Sequence, residues 1–258
     1  MNVTDDLEAL RVLEPVGLDE MTEDADLQTR RDRKYLVPRG VVGDLVTASD
    51  GAWRVLTIDD ARSFRYESVY FDTSDFRSFL SAARRRPSRY KVRTRSYLDA
   101  GACVLEVKTR DPRGHTVKHR HPYDLDHRAE LTHDGRRFVA TIDQAAGAVD
   151  NLRPALTTRY RRSTLVLADS AARITIDVDL TWVRPDGCRA DLLGVALVET
   201  KTLGQPCSFD RALWRSGHRP VTISKYCTGL AALCPRLPAN KWHRVLRRHF
   251  DWAPAGAG

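Results

Sequence analysis

Apolar and polar residues alternate along much of the chain, and this period of two predicts a protein built mainly from β-strands. The strand-like segments are rich in Val, Ile, Tyr and Phe, and short sequences with Asp, Gly or Pro separate them. The predicted strands cover residues 27–37, 63–72, 88–98, 102–110, 115–123, 155–167, 173–182 and 195–202. Only tight turns separate the three strands between residues 88 and 123, so these strands predict an antiparallel meander.

Helices are predicted between the strands and towards the C-terminus. Pro38 is well placed in the first turn of a helix that ends near Ala48, and a second, short helix ends near Ala83. The other predicted helices cover residues 133–149, 208–216, 224–233 and 239–250. Together these elements predict an α+β fold.

The chain shows no internal repeat or flexible linker, so a single folded domain is expected over residues 27–238. Residues 1–26 are interpreted as an acidic leader, either a short helix or a mobile segment. Residues 239–258 are interpreted as a basic amphipathic helix and tail, in which Trp242, Val245 and Leu246 share one stripe with Phe250. Such a helix can lie on a membrane, but packing against the rest of the protein is more common and is expected here.

Charged residues on several predicted strands share one face, because successive side chains of a strand point to opposite sides. These same-face residues are Arg89, Lys91, Arg93 and Arg95, then Glu106, Lys108 and Arg110, then Asp177 and Asp179, and finally Glu199 and Lys201. An open sheet would turn such a face to water, whereas a closed sheet would turn it towards a lumen. Because the pattern recurs on several strands, we predict an antiparallel β-barrel that forms a tunnel, with helices packed outside it and at the C-terminus.

A lumen with many cations and few carboxylates would suit a phosphate chain and a divalent metal. Guanidinium groups bind phosphate oxygens in pairs, and Lys supplies a mobile positive charge. Carboxylate oxygens hold a hard cation, which can bridge phosphate oxygens.

The net charge and the cysteine content indicate which kind of partner and which cellular compartment to expect. Forty-two Lys and Arg against thirty-four Asp and Glu give a formal net charge of +8, which predicts an anionic partner. The five cysteines include no Cys-x-x-Cys pair, so we expect reduced thiols in a soluble, cytoplasmic protein. His115, His119 and His121 also share one strand face, but no further ligand stands close in sequence, and a solvated face is expected there instead of a metal site.

Eight short motifs follow one another, from about residue 30 to residue 233, in the order of a known family. They are RKYLVP (33–38), SVYFDT (68–73), KVRTR (91–95), LEVK (105–108), RYRR (159–162), TIDVDL (175–180), VETK (198–201) and SKYC (224–227). Each motif alone is common, but the ordered set is specific. On these residues the sequence resembles the VTC domain, the polyphosphate polymerase branch of the triphosphate tunnel metalloenzyme (CYTH-like) superfamily.

The resemblance implies a metal-dependent transfer of the γ-phosphoryl group of ATP to a growing polyphosphate chain, with Mn²⁺ or Mg²⁺ as cofactor. The implied catalytic residues are Lys34, Arg93, Arg95, Lys108 and Arg162. The further implied substrate-binding residues are Lys118, Tyr160, Lys201, Ser224 and Lys225. Glu199 is the implied metal ligand, and Glu106 is either a second metal ligand or the partner of Lys108. Asp32 stands where many relatives have Glu.

ATP and inorganic polyphosphate are therefore the expected partners. The resemblance also allows association with a membrane through a protein partner, and no nucleic acid is expected. Hydrolysis of tripolyphosphate or nucleoside triphosphates in the same fold stays open, as does a non-catalytic polyphosphate-binding module. A basic RNA-binding protein is the weakest alternative, because the cations alternate beside carboxylates and no RNA-binding motif is present.

Overall fold

The computed structural model describes residues 9–23, 31–167 and 172–254. The described strands are β1 (Glu14–Val16), β2 (Arg31–Pro38), β3 (Trp53–Leu56), β4 (Phe64–Asp72), β5 (Arg89–Tyr97), β6 (Ala102–Arg110), β7 (Thr116–Tyr123), β8 (Arg153–Leu167), β9 (Arg173–Val183), β10 (Arg189–Leu192) and β11 (Val195–Thr202). The described helices are α1 (Leu18–Glu23), α2 (Val42–Ala48), α3 (Arg77–Ala83), α4 (His133–Ala140), α5 (Asp143–Ala146), α6 (Ser208–Arg215), α7 (Lys225–Leu233) and α8 (His243–His249). The predicted α+β fold is confirmed.

Residue contacts divide the chain into two compact units. The first unit comprises the described residues up to Phe64, together with those of 160–180 and 193–222. The second unit comprises Arg65–Arg159, Thr181–Leu192 and the described residues from Ile223 onwards.

The first unit is organised around strands in the order β2-β11-β9-β8. Alternate residues of these strands, such as Tyr35, Ile176 and Val198, form a buried core with apolar residues of α2 and α6. The fully buried Asp210 of α6 accepts hydrogen bonds from the hydroxyls of Tyr35 (2.7 Å) and of Thr200 (2.7 Å). This carboxylate therefore ties the helix to the sheet.

The second unit contains the antiparallel strands β4, β5, β6 and β7, and the predicted meander is confirmed. Val92, Leu105 and Val107 lie on the core side of these strands, where they pack against residues of α4 and α5 such as Val139. The side chain of Thr132 caps α4 by accepting a hydrogen bond from the backbone N–H of Gly135.

Hydrogen-bonded pairing starts at β2 and ends at β7, in the order β2-β11-β9-β8-β4-β5-β6-β7. Among the described residues this path does not close on itself, so the pairing gives an open sheet. The predicted antiparallel sheet is confirmed. It differs from the predicted barrel in that the described strands β2 and β7, at the two ends of the path, are not paired with each other.

The C-terminal helix packs within the second unit. Trp242 lies 5.5 Å from Phe79, and Phe250 lies 5.3 Å from Trp182, between ring centroids. Because Val245 is buried as well, the predicted apolar stripe is used for packing. No helix of the described residues has the length and apolar character needed to span a bilayer.

Sequence-based boundaries differ from the structure where local geometry interrupts the pattern. The helix predicted over 133–149 ends near Thr141, whose hydroxyl donates back to the carbonyl of Phe138 (2.7 Å), and extended backbone at Ile142 separates it from α5. The strands β1, β3 and β10 were not predicted, because segments of three or four residues are too short to show a period. The predicted strand at 27–37 begins outside the described residues, and the described part starts at Arg31.

Gly229 allows α7 to approach Trp182 closely. A Cβ atom at this position would meet the indole Cδ1 atom at 2.1 Å, and the indole is held by a hydrogen bond from its Nε1 to the carbonyl of Lys225 (2.7 Å). We therefore expect Gly229→Ala to lower the free energy of unfolding by about 1–3 kcal/mol or more, the usual cost of overpacking. Chemical denaturation measures the change, and Gly147→Ala, which has open space at its Cβ, is the control.

Candidate functional site

The register of β5, β6 and β7 places charged residues in rows across one face of the second unit. Lys91, Lys108 and Lys118 lie opposite one another in one row, and Arg93, Glu106 and Arg120 form the next row. Arg95 follows on β5. We call these seven residues the basic face. Glu106 is the one carboxylate among them, and the apolar residues that alternate with them point to the opposite, core side.

Glu106 organises the arginines of the basic face. Its Oε2 accepts hydrogen bonds from Nε (2.8 Å) and Nη2 (2.6 Å) of Arg93, and its Oε1 accepts one from Nε of Arg120 (3.2 Å). The side chains of Arg93, Arg95 and Glu106 are 19%, 12% and 2% exposed. This part of the face is therefore enclosed, unlike the solvated face of an ordinary surface strand.

Mutual electrostatics perturb two titratable groups of the basic face. Burial alone would raise the pKa of Glu106, but the nearby charges of Arg93 and Arg95 outweigh it and lower this pKa to about 2. The pKa of Lys118 is lowered to about 8, first by partial burial and then by Arg120 and other cations, although Glu106 opposes the shift. An excess of positive charge is therefore concentrated around one carboxylate.

Arg95 carries a donor that is well placed for an anion. Its Nε is buried without a hydrogen-bond partner among the described groups, and the nearest carboxylate oxygen, of Glu106, lies 4.0 Å away. A buried donor without a partner destabilises the folded state by about 1–3 kcal/mol. An anion oxygen at this position would remove that cost.

The first residues of α7 meet the basic face. Lys91 Nζ donates a hydrogen bond to Ser224 Oγ (3.0 Å), and the same oxygen caps the helix by accepting from the backbone N–H of Cys227 (3.2 Å). Tyr226 stacks on Tyr70 with ring centroids 5.0 Å apart, and Tyr70 accepts a hydrogen bond from Arg93 (3.1 Å). Ser224 is thus placed beside the predicted phosphate-binding cations, and Lys225 is the first residue of the helix.

The first unit contains a second group of charges, which mixes acids and bases. In the sheet register Glu199 is opposite Lys34, and Lys201 is opposite Asp32. Glu199 Oε1 lies 2.5 Å from Lys201 Nζ, and its Oε2 lies 3.9 Å from Lys34 Nζ. Burial lowers the pKa of Lys201, although Glu199 and Asp32 oppose the shift.

Arg162 belongs to the same unit and is fixed by a fully buried carboxylate. Its Nε and Nη2 donate to the two oxygens of Asp177 at 2.6 and 2.9 Å, and its guanidinium lies 5.3 Å from the ring centroid of Tyr160. Asp179 does not share this environment: it pairs with Arg39 (2.7 Å) and with Arg161 (3.6 Å). The left-handed backbone at Asp179 (φ 56°) interrupts the alternation of side chains along β9. The prediction that Asp177 and Asp179 share one strand face is therefore wrong.

Glu199 and Asp32 of the first unit are better suited to bind a divalent metal than Glu106 of the second unit. Glu199 and Asp32 are diagonal neighbours on one face, and Mg²⁺ typically binds one or two carboxylates together with phosphate oxygens. No group of three or more His, Cys, Asp or Glu in the described part of the chain is suited to hold a metal alone. The donor set around Glu199 therefore fits a metal that binds together with a phosphate substrate. Glu106 fits less well, because both of its oxygens accept hydrogen bonds from guanidinium groups. By contrast, one oxygen of Glu199 is in close contact with an ammonium group and the other lies 3.9 Å from Nζ of Lys34.

Most of the predicted residues fall into these two groups. The second unit brings together Arg93, Arg95, Glu106, Lys108, Lys118 and Ser224, and the first unit brings together Lys34, Tyr160, Arg162, Glu199 and Lys201. Sequence reasoning gave no role to Tyr70 or Arg120. A signal for Arg120 was present in the sequence, because it lies two residues from Lys118 and therefore on the same strand face. On this strand, only Lys118 and the histidines of the opposite face were considered from the sequence. His121 stacks on Phe138 of α4 with ring centroids 5.0 Å apart, so the predicted solvated face is packed at this end.

Comparison with solved structures finds proteins of similar fold. Among solved structures, a candidate adenylate cyclase from Bacillus halodurans has a TM-score of 0.50 at 15% identity, covering 76% of this chain and 94% of its own. A candidate adenylyl cyclase from Hippeastrum with a dominant triphosphatase activity has a TM-score of 0.48 at 15% identity, covering 81% and 98%. A search of the curated proteins finds no match. The Bacillus structure is similar to this chain in fold.

The family comparison covers most of the chain. The model of the VTC domain matches residues 29–234, a range that includes the residues of the basic face, the mixed charges of the first unit and Ser224. The chain therefore belongs to the VTC domain family.

Proposed function

We propose that the protein is a triphosphate tunnel enzyme that uses ATP to extend inorganic polyphosphate. The observation that carries this proposal is the basic face, on which six cations surround one buried glutamate. A chain of phosphates carries closely spaced negative charges along its length and would be complementary to these rows of cations.

The basic face would bind and orient the phosphate chain. Arg93 is held by Glu106 and Tyr70, so its guanidinium needs little reordering when an anion binds. Arg95 would donate its buried Nε–H to a phosphate oxygen. Lys91, Lys108 and Lys118 lie opposite one another, and an anion between them would relieve their mutual repulsion.

Glu199, with Asp32, would hold the divalent metal in the first unit. The metal would neutralise charge on the transferred phosphoryl group. Lys34 and Lys201 flank Glu199 and would contribute positive charge for phosphate oxygens. The acceptor is the terminal phosphate of the chain, which is already anionic, so the reaction needs no general base from the protein.

Incubating the protein with ATP and Mn²⁺ tests the proposal. Separation of the products on a gel reveals polymer, and a parallel assay measures free phosphate. Long phosphate chains are the expected product. Free phosphate without polymer would indicate a hydrolase instead. The absence of both polymer and free phosphate would indicate a non-catalytic binding module.

The affinity for tripolyphosphate is expected to fall as the pH rises through about 8. An anion favours the protonated form of Lys118, whose pKa in the free protein is about 8. Above that pH, binding must take up a proton, so the apparent association constant decreases. Isothermal titration calorimetry between pH 6.5 and 9.5 measures the effect.

Lys118→Arg is the matched control, because arginine keeps its charge over this pH range. We expect the decrease near pH 8 to be absent in this variant in the same buffers. An identical pH profile for both proteins would remove Lys118 from the binding face.

A further inference from the structure

A second group of cations lies at one end of the basic face. The row next to Lys91 and Lys108 places Arg89 directly opposite Arg110. These two residues line a cavity of about 340 Å³ together with Arg85 and Lys241. A neighbouring cavity of about 270 Å³ is lined by Arg89 and Arg110, and also by Lys91 and Lys108 of the basic face. The cations therefore continue without a break from the basic face, along the smaller cavity, into the larger one. We call the larger cavity, lined by Arg85, Arg89, Arg110 and Lys241, the end pocket.

The end pocket has little compensation by negative charge. Arg89 donates to the backbone carbonyl of Arg86 (2.7 Å), and Lys241 donates to that of Ala82 (3.4 Å). Asp111 is the acid in the pocket lining, and its carboxylate accepts from the backbone N–H of His115 and lies 3.0 Å from the imidazole. Carbonyl groups orient these cations but do not neutralise them, so the pocket retains its positive charge.

This arrangement is unfavourable for the protein alone. Like charges opposite each other across a sheet are destabilising, and Arg89 faces Arg110 in this way. Burial, and then the charge of Arg110, lower the pKa of Arg89. Arg85, which lines the same pocket, has a left-handed backbone (φ 55°) that is strained for a residue with a Cβ. An anionic ligand in the pocket would offset the repulsion.

The spacing indicates the class of ligand. Arg93 and Arg89 are four residues apart on β5, which corresponds to about 13 Å at the rise of a strand. A ligand that contacts both must be an extended polyanion. We infer that the end pocket binds a distal segment of a condensed phosphate chain whose other segment lies on the basic face. This inference rests on the proposed function and extends it, because it makes binding dependent on chain length.

The test compares the affinity for tripolyphosphate with that for long-chain polyphosphate in the wild type and in the double variant Arg85→Gln/Lys241→Gln. Neither residue belongs to the basic face. We expect the variant to bind tripolyphosphate within about twofold of the wild type, and to bind the long chain at least about tenfold more weakly, since contacts to charged groups are lost. Arg247→Gln/Arg248→Gln, at two exposed positions of α8, is the control for net charge.

An unchanged affinity for the long chain would overturn the inference, and so would an equal loss of affinity for both ligands or an equal loss in the control variant. An RNA oligonucleotide of the same charge is titrated in parallel, and binding of it as tight as that of polyphosphate, with the same loss, would also contradict a phosphate-chain site. Failure of the proposed function has a different signature: the wild type would form no polymer from ATP, whatever the end pocket binds.

Discussion

Replacing Glu199 with glutamine is expected to lower the turnover of ATP by about 100-fold or more, the scale of one preorganised electrostatic group in an active site. The substitution keeps the shape of the side chain and removes the charge that lies between Lys34 and Lys201. Metal held by Glu199 and Asp32 would then bind more weakly, so raising the Mn²⁺ concentration should recover part of the activity. Initial rates at several metal concentrations measure both effects.

Loss of the fold must be separated from loss of the metal site in this variant. The melting temperature, followed by circular dichroism, reports whether the variant is folded at the assay temperature. Glu130→Gln, at an exposed residue that pairs with His127, is the control with the same chemical change. Full turnover of a folded Glu199→Gln protein at low Mn²⁺ would show that the metal site lies elsewhere.

Glu106→Gln is expected to lower the free energy of unfolding by about 3–5 kcal/mol, because it removes the carboxylate from a buried ion-pair network. Arg93, Arg95 and Lys118 would be left without their common counter-ion. Tripolyphosphate would replace that negative charge, so it should raise the melting temperature of the variant by more than it raises that of the wild type. Equal increases in both proteins would contradict a phosphate site around Glu106.

The acid stability of the wild type provides a second measurement on the same residue. The folded-state pKa of Glu106, about 2, lies below the usual glutamate pKa of 4.5. Its contribution to stability is therefore fully present above pH 4.5 and is lost as the pH falls towards 2. The glutamine variant should lack this part of the pH dependence, which denaturation at a series of pH values would reveal.

The sequence predicted the charged faces well, because alternation along a strand is a local property. The placement of Arg93, Lys108 and Lys118 needed strand parity and the meander, and both can be recognised from the turns. The central position of Glu106 depends on register across three strands, and the sequence left open whether it is a second metal ligand or the partner of Lys108. In the structure its oxygens accept hydrogen bonds from Arg93 and Arg120. Glu106 therefore pairs with cations, but with arginines of the neighbouring strands that the sequence had not named as its partners.

Other features depended on geometry that no sequence period encodes. The turn of Asp179 away from Asp177 follows from one left-handed residue. The end pocket combines a strand pair, a turn and Lys241, which lies more than 120 residues further along the chain. Closure of the sheet was inferred from the charge pattern, but hydrogen-bonded pairing decides it, and that pairing follows an open path in the described residues.

The central claim is that the enclosed arginines of β5, Arg93 and Arg95, bind condensed phosphate. Calorimetric titration of tripolyphosphate into Arg95→Met tests this claim most directly. Methionine preserves much of the apolar volume of the side chain and removes the buried Nε–H donor. We predict an affinity at least about tenfold lower than that of the wild type, and an unchanged affinity for Arg137→Met, an exposed arginine of α4. Equal affinities for the Arg95 variant and the wild type would contradict the account.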